Sequence, residues 1–197
     1  ARLHPALGRA ALRRAYETLA GDAQGLEESH IQAMLGLAGG PPGKVLKLPR
    51  GLVLSSGYGE LVLGTSLEET CPLPPLDGEQ ALNVPGETRL RGWLVSAVAS
   101  EPGPDAGPLV ACLDTRTAGG PLVVRARRPG DRFQPLGMDE AKKLQDFFVD
   151  EKVPRAWRDR VPLLVSERGI AWVVGYRIAE WAQARENAGR VLRVEFR

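Results

Sequence analysis

The stretch RARRPGDRFQPLGMDEAKKLQDFFVDEKVPRAWRDR, residues 125–160, determines how this chain can be interpreted. Its first part, residues 128–133, contains Pro-Gly-Asp and indicates a tight turn. A helix is predicted over about 139–149, because three apolar residues recur there at helical spacing: Leu144, Phe147 and Phe148. A second, short helix can begin at Pro154 and is closed by Pro162.

This stretch is rich in cationic side chains, which include Arg125, Arg127, Arg128, Arg132, Lys142, Lys143, Arg155, Arg158 and Arg160. On the predicted first helix, Lys142 and Lys143 lie away from the apolar face, and each is spaced i,i+4 from an aspartate. On the second helix, Arg155 and Arg158 are one turn apart and project together. Two short helices with a basic face each form a platform that suits a phosphate backbone. The residues leave an alternative equally open, in which carboxylates neutralise much of the platform: Asp131, Asp146 and Asp159.

The composition is that of a folded protein with one sizeable core or two small ones. Of 197 residues, 43% are hydrophobic and 25% are charged, which excludes intrinsic disorder, collagen and coiled coils. No apolar run approaches about 18 residues, so a transmembrane helix is not expected. The formal net charge is +2, but residues 122–197 carry 16 basic and 11 acidic side chains, against 10 and 13 in residues 1–121. This basic excess is weak support for a polyanionic partner.

The remaining sequence predicts an α+β protein. Amphipathic helices are predicted at residues 5–20 and 26–37, and three short strands follow them. These elements form a small helical-hairpin-plus-β-meander domain at 1–64. Residues 65–79 are rich in proline and suit a linker. The remainder, 80–197, is predicted to be a mixed, mostly antiparallel β domain that contains the two short basic helices.

The residues form no recognisable catalytic constellation. The sequence from Gly39 to Lys44 has the wrong spacing for a phosphate-binding P-loop, and there is no GxGxxG or HExxH motif. A metal site would need four distant residues to converge: His4, His30, Cys71 and Cys112. The two cysteines lack a CxxC spacing, and inert thiols in a reducing compartment are expected. We therefore expect neither catalytic residues nor metal ligands in this chain.

Several sequence blocks resemble the C-terminal domain of the bacterial tRNA(Ile)-lysidine synthetase family. They follow one another in a fixed order: RRPGDRF at 127–133, PLGM at 135–138, KKLQDFF at 142–148, KVPR at 152–155 and WVVG at 172–175. Residues 5–63, with paired helices and the sequence LPRGLVL, are similar to the middle segment of that family. The resemblance is loosest across 65–108.

This resemblance implies a part in tRNA processing. The family joins lysine to C2 of the wobble cytidine (C34) of an isoleucine tRNA, forming lysidine, and uses ATP to adenylate the base first. It is thus an ATP-dependent ligase, and adenylation depends on an N-terminal ATP-pyrophosphatase domain with an SGGxDS-type loop. No such loop occurs here. ATP, Mg²⁺ and lysine are therefore expected to bind that N-terminal domain, and this chain alone is expected to be inactive. Its start at Ala1, without Met, is consistent with an internal piece of a longer polypeptide.

The resemblance implies a tRNA-recognising, non-catalytic role for this chain. The matched positions expected to contact tRNA are Arg128, Arg132, Lys142, Lys143, Arg155 and Arg158. The aromatic side chains nearby are expected in the core rather than stacked on bases: Phe133, Phe147, Phe148 and Trp157.

The expected partners are isoleucine tRNA, through its acceptor stem, and the N-terminal catalytic domain of the same polypeptide, in the cytoplasm. Neither DNA nor a membrane is expected as a partner. The alternative is a structural or subunit-interaction module with little direct RNA contact. In that case an exposed apolar patch on the sheet at 170–196 and a homodimer would be expected.

Overall fold

The computed structural model describes residues 5–38, 40–103, 107–115, 120–184 and 189–197. His4 and Gly39, considered above for a metal site and a P-loop, lie outside these residues. The chain forms two compact units. The first runs to Leu73 and also includes Pro154–Trp157, and the second comprises Pro74–Val153 and Arg158–Arg197.

The first unit combines two helices with a three-stranded antiparallel meander. Its elements are α1 (Pro5–Ala20), α2 (Glu28–Ala38), β1 (Val45–Lys47), β2 (Val53–Ser56) and β3 (Leu61–Gly64). A 3-10 turn at Pro49–Gly51 connects β1 to β2. These elements enclose one apolar core, formed by Tyr16, Leu26, Ile31, Met34, Leu48, Leu52 and Leu54. The predicted helical hairpin and β-meander are therefore confirmed.

Residues 65–73 pack within the first unit. Thr70 is fully buried, and its carbonyl accepts a hydrogen bond from the Ser55 hydroxyl. The indole Nε1–H of Trp157 donates to the Leu67 carbonyl at 2.5 Å. The boundary between the units therefore falls inside the proline-rich stretch that was predicted to be a linker.

The second unit is built from three antiparallel sheets. Its strands are β4 (Glu79–Ala81), β5 (Gly86–Leu90), β6 (Trp93–Ser100), β7 (Val110–Asp114), β8 (Val123–Arg125), β9 (Arg132–Phe133), β10 (Lys142–Lys143), β11 (Leu163–Ser166), β12 (Gly169–Val173), β13 (Arg177–Ile178) and β14 (Val191–Phe196). The strand orders are β13-β12-β11-β8-β4, β5-β6-β14-β7 and β10-β9. The two larger sheets meet where Trp172 of β12 packs edge-on against Phe196 of β14, with ring centroids 5.6 Å apart.

The β9–β10 hairpin leads directly into helix α3, Leu144–Asp150. The lysines at 142 and 143 therefore lie on a strand, and their predicted placement on a helix is wrong. Two interactions delay the helix until Leu144. Strand β10 pairs with β9, and the Leu144 amide donates to the Asp131 carbonyl at 2.9 Å. The helix itself carries no basic residue.

The second predicted helix is a single 3-10 turn, Arg155–Trp157. The Trp157 amide donates to the Pro154 carbonyl at 2.9 Å, which is the i→i+3 bond of such a turn. Arg158 lies beyond the turn, so the prediction that it shares a helix with Arg155 is wrong. The Arg158 side chain instead reaches back past the turn, where its Nε–H donates to the Val153 carbonyl at 3.1 Å.

The aromatic side chains form the core beneath the hairpin. Phe147 of α3 packs edge-on against Phe133 of β9 at 4.9 Å between centroids. Phe147 also contacts Phe148 and Tyr176, and Phe148 contacts Tyr176 as well. The four aromatic residues expected in the core are all buried: Phe133, Phe147, Phe148 and Trp157. The helices together with the antiparallel sheets confirm the predicted α+β fold class.

Candidate nucleic-acid interface

The turn before β9 is held by one carboxylate. Asp131 accepts two hydrogen bonds from the Arg125 guanidinium, at 2.8 and 2.9 Å, and a third from the Arg128 amide at 2.7 Å. The Arg125 and Asp131 side chains are only 10% and 13% exposed. This bidentate pair fixes the Pro-Gly-Asp turn, and with it the point at which β9 leaves the turn.

The Asp131 carboxylate is ionised at neutral pH. Burial acts to raise its pKa, but the hydrogen bonds from Arg125 and from the Arg128 amide outweigh burial and hold the pKa below its ordinary value. Arg125 is thereby neutralised within the protein and is not available to an external anion.

Two cations oppose each other on the β9–β10 hairpin. Lys143 is the cross-strand partner of Arg132, and both residues are exposed. The Leu144 amide donates to the Asp131 carbonyl, so the next pair along the ladder, Leu144 with Asp131, is a hydrogen-bonded pair. Because the two kinds of pair alternate in an antiparallel ladder, Arg132 and Lys143 form a non-hydrogen-bonded pair, with Cα atoms about 4.5 Å apart. Like charges directly opposite each other destabilise a hairpin. The hairpin therefore has two like charges, Arg132 and Lys143, opposite each other on its solvent-exposed face.

Neither member of the Arg132–Lys143 pair has a carboxylate within 4.0 Å among the described residues. One nitrogen of the Arg132 guanidinium, Nη2, donates to the Ala141 carbonyl at 2.9 Å, which orients the group without neutralising it. A phosphate bound between the two side chains would relieve their repulsion. The pair is therefore a suitable anion site.

Lys142 points away from this pair. Its cross-strand partner is the buried Phe133, so it lies on the opposite face of the hairpin. The Lys142 ammonium forms an ion pair with the Asp150 carboxylate at the end of α3. Of the two adjacent lysines, only Lys143 presents an uncompensated charge.

Arg128 is exposed but paired. Its guanidinium donates to the Glu79 carboxylate of β4 at 2.7 Å, and the two side chains are 61% and 42% exposed. Arg127 is bound in a similar way by Asp159, at 2.8 Å. Exposed ion pairs of this kind contribute only about 0–1 kcal/mol, so a phosphate can replace the Glu79 carboxylate at little cost.

The two remaining predicted residues belong to different units. Arg158, in the second unit, is partly buried, and its Nε–H donates to the Val153 carbonyl at 3.1 Å. Arg155, in the first unit, is exposed on its 3-10 turn. Neither has a carboxylate partner within the described ranges. The structure brings Arg132 and Lys143 together in one ladder, while Lys142 faces the other way.

Sequence reasoning missed the hairpin pairing and the Glu79 partner of Arg128. Alternation in Arg132-Phe133, an exposed residue followed by a buried one, was the available signal for β9, but two residues are too few to predict a strand. Glu79 is 49 residues from Arg128. Nothing local in the sequence indicates such a contact.

Two cavities lined by described residues offer no catalytic set. One of about 240 Å³ in the first unit has Ser56 and Glu60 as its polar side chains, and the Ser56 hydroxyl is already bonded to the Pro41 carbonyl. Another, of about 140 Å³, is lined by Arg91 and its ion-pair partner Asp77. Among the described residues, no three His, Cys, Asp or Glu side chains are placed to hold a metal ion. None of the helices in that part of the chain is long and apolar enough to cross a membrane.

Residues 122–195 match the family described as the TilS substrate C-terminal domain. The chain is 48% identical over 200 residues to a tRNA(Ile)-lysidine synthase of Dehalococcoides mccartyi, an alignment that covers 100% of this chain and 42% of the relative. It is 33% identical over 198 residues to one of Caldanaerobacter subterraneus, with 98% and 42% covered. The chain thus spans less than half the length of these relatives.

A solved structure also resembles part of this chain. A crystal structure of a TilS C-terminal domain superposes with a TM-score of 0.53 at 29% identity, over 60% of this chain and 95% of that one. The likeness therefore extends from the sequence to the fold.

Proposed function

We propose that the chain is the tRNA-recognising, non-catalytic portion of a tRNA(Ile)-lysidine synthase, because residues 122–195 match the TilS substrate C-terminal domain family and the whole chain aligns with tRNA(Ile)-lysidine synthases. The whole enzyme would ligate lysine to the wobble cytidine of isoleucine tRNA with ATP. In this proposal ATP, Mg²⁺ and lysine bind a separate N-terminal catalytic domain of the same cytoplasmic polypeptide.

One observation carries the proposal: the exposed, uncompensated Arg132–Lys143 pair on the β9–β10 hairpin. An A-form RNA stem is recognised by its shape, its phosphates and its 2′-hydroxyls. A guanidinium and an ammonium about one strand spacing apart suit adjacent phosphate oxygens, and phosphate relieves their repulsion. We infer that this pair binds the RNA backbone.

The proposal assigns the acceptor stem as the RNA element that is read. A wobble cytidine occurs in several tRNAs, so an enzyme that modifies one of them must also read features distant from the anticodon. Within this scheme 80–197 is the tRNA-binding domain, 1–64 is a substrate-binding domain that does not contact the acceptor-stem backbone, and the boundary between them lies within 65–79. Arg128, Arg155 and Arg158 add further phosphate contacts, whereas Lys142 adds least because Asp150 already holds it.

The alternative, a structural or subunit-interaction module that forms a homodimer, requires an apolar surface. The large hydrophobic side chains that are exposed in the described part of the chain lie elsewhere than on 170–196: Leu7, Leu19, Val84, Val98, Met138 and Val149. The surface expected for this alternative is therefore not supported.

The test is the salt dependence of binding to an isoleucine tRNA transcript, measured by fluorescence anisotropy. Each phosphate contact contributes about 0.7–0.9 to the slope of log affinity against log salt. The double substitution Arg132→Ala plus Lys143→Ala should lower the slope by about 1.4–1.8. The matched control, Lys44→Ala plus Lys47→Ala, removes two exposed cations from the first unit and should leave the slope unchanged. Equal effects of the two double substitutions would reject the proposal.

A further inference from the structure

Two residues other than glycine have a left-handed backbone conformation in the described part of the chain: Arg50, with φ of 57°, and Lys152, with φ of 56°. This region crowds the Cβ of an L-residue and is usually occupied by glycine or asparagine. A long cationic side chain in this conformation is therefore expected to make contacts that offset the backbone strain.

Arg50 makes such contacts within the protein. Its guanidinium donates to the Ala20 carbonyl at the end of α1, at 2.7 Å, and to the Asp22 carboxylate at 2.9 Å. A third bond, at 3.2 Å, reaches the Gln24 side chain. The side chain closes the end of the helix, and these contacts offset the unfavourable backbone conformation.

Lys152 makes no comparable contact. It follows α3 at the position where a glycine usually ends a helix, and the end of the helix is closed by the backbone alone. The Lys152 amide donates to the Val149 carbonyl at 3.0 Å, and the Val153 amide donates to the Phe148 carbonyl at 2.9 Å. Glycine would form both bonds without the crowded Cβ.

The Lys152 ammonium has no carboxylate partner among the residues that the structure describes, and the residue is exposed. The two acidic residues that precede it are engaged elsewhere. Asp150 binds Lys142, and Glu151 lies 3.8 Å from Arg177. The lysine charge is thus left uncompensated by its nearest neighbours in the chain.

A second cation is fixed beside Lys152. The Arg158 Nε–H donates to the carbonyl of Val153, the next residue, at 3.1 Å. Standard bond lengths then place the Arg158 guanidinium within about 10 Å of the Lys152 Cα. One guanidinium nitrogen makes this bond, and the other two have no carboxylate partner among the described residues. A lysine stem of four methylenes can bring its ammonium to the same anion.

We propose that Lys152 and Arg158 together form a second phosphate-binding site, which holds one phosphate of the RNA backbone. The inference rests on the proposed function and extends it, since Lys152 is not among the residues matched for tRNA contact above. In this proposal the Lys152 ammonium serves the ligand rather than the fold, which accounts for a lysine at a position that suits glycine.

The competing explanation is that the Lys152 charge stabilises the carbonyl end of α3. The two explanations differ in the sign of one measurement. If the ammonium serves only RNA, Lys152→Gly removes the crowded Cβ and should raise the melting temperature by about 2–4 °C. If it serves the helix, the same substitution should lower the melting temperature.

The experiment uses the 197-residue chain and an isoleucine tRNA transcript. Lys152→Gly should reduce the salt slope by about 0.7–0.9 and weaken binding about fivefold to eightfold at about 0.1 M salt, while Lys152→Arg should preserve both values. Lys152→Asn, which also tolerates the left-handed region, should weaken binding in the same way as Lys152→Gly. Arg50→Gly is the matched control: it should lower the melting temperature and leave the slope unchanged.

A Lys152→Gly chain with an unchanged salt slope overturns this inference, whatever its melting temperature. If Arg132→Ala plus Lys143→Ala still lowers the slope in that experiment, the proposed function stands and only the second site is lost. If the unsubstituted chain does not bind the transcript in a salt-dependent manner, the proposed function and this inference both fail.

Discussion

Reversing the charge of Lys143 should stabilise the protein while it weakens RNA binding. Lys143 lies opposite Arg132 in a non-hydrogen-bonded cross-strand pair. In Lys143→Glu, a repulsive pair becomes an attractive one. At an exposed position, removing the repulsion and gaining the attraction each contribute a few tenths of a kcal/mol, and the two contributions add. We expect the free energy of unfolding to rise by about 0.5–1 kcal/mol, which corresponds to about 1–4 °C in melting temperature.

RNA affinity should change in the opposite direction. If the Arg132–Lys143 pair binds phosphate as proposed, the substitution removes one phosphate contact and pairs the Arg132 guanidinium with the new carboxylate, which removes a second. Two contacts correspond to about 1.4–1.8 in the salt slope and to about 25- to 60-fold in affinity at about 0.1 M salt. Fluorescence anisotropy with a labelled isoleucine tRNA transcript, at several concentrations between about 50 and 200 mM salt, measures both values.

Lys47→Glu is the matched control. Lys47 is exposed on β1 in the first unit, and its substitution changes the net charge by the same amount. It should lower affinity only through the overall charge, with little change in the slope. An equal loss of slope in the two variants would refute a specific role for Lys143. A lower melting temperature in Lys143→Glu would refute the cross-strand repulsion.

Three further outcomes are expected. Asp131→Asn leaves Arg125 as a buried, unpaired charge and should cost about 3 kcal/mol at pH 7 in urea unfolding. The pKa of Asp131 is lowered in the folded state, so this stabilisation is present above the unfolded pKa of about 3.9 and is lost as the pH falls through the folded value. The free energies of unfolding of the two proteins should therefore converge in acid. A constant difference down to low pH would contradict the pairing of Asp131 with Arg125. Lys142→Ala removes a cation already held by Asp150 and should leave the salt slope almost unchanged. Lys143→Ala should lower the salt slope by about 0.7–0.9. A larger loss of slope in Lys142→Ala than in Lys143→Ala would contradict the assignment of Lys143 to the RNA. Phe148→Ala empties a fully buried site under α3 and should cost about 3–5 kcal/mol in the same unfolding assay, where a loss below about 1 kcal/mol would contradict its place in the core.

The local spacing of apolar residues was sufficient to predict the elements that bury an apolar face. The spacing of Leu144, Phe147 and Phe148 predicts that these side chains share one buried face, and all three are buried. The two helices and the meander of the first unit are also encoded locally, by apolar spacing and by turns that contain glycine and proline. These predictions hold because each depends on residues within a few positions of one another.

The start of α3 could not be predicted because it depends on a contact outside the helix. Asp139 and Lys143 have the spacing of a helical ion pair, yet Lys143 pairs instead with Arg132 across the hairpin. Tertiary pairing outweighs the weak local preference for a helix at these positions. The same limit applies to Arg128, whose carboxylate partner, Glu79, lies on another strand far away in the sequence.

The candidate site was therefore predicted in composition but not in geometry. An excess of arginine in the last part of the chain was visible in the sequence. Which cations are neutralised internally depends on the fold: Arg125 by Asp131, and Lys142 by Asp150. Charge counting cannot separate these residues from the Arg132–Lys143 pair, because all of them contribute equally to the net charge.

The most direct measurement is the reactivity of individual lysine side chains toward an amine-acylating reagent, with and without isoleucine tRNA, read by mass spectrometry. If the Arg132–Lys143 pair binds the RNA backbone, tRNA should protect the Lys143 amine several-fold, while Lys47 in the first unit remains equally reactive. Protection of both lysines to the same extent, or of neither, would contradict the account.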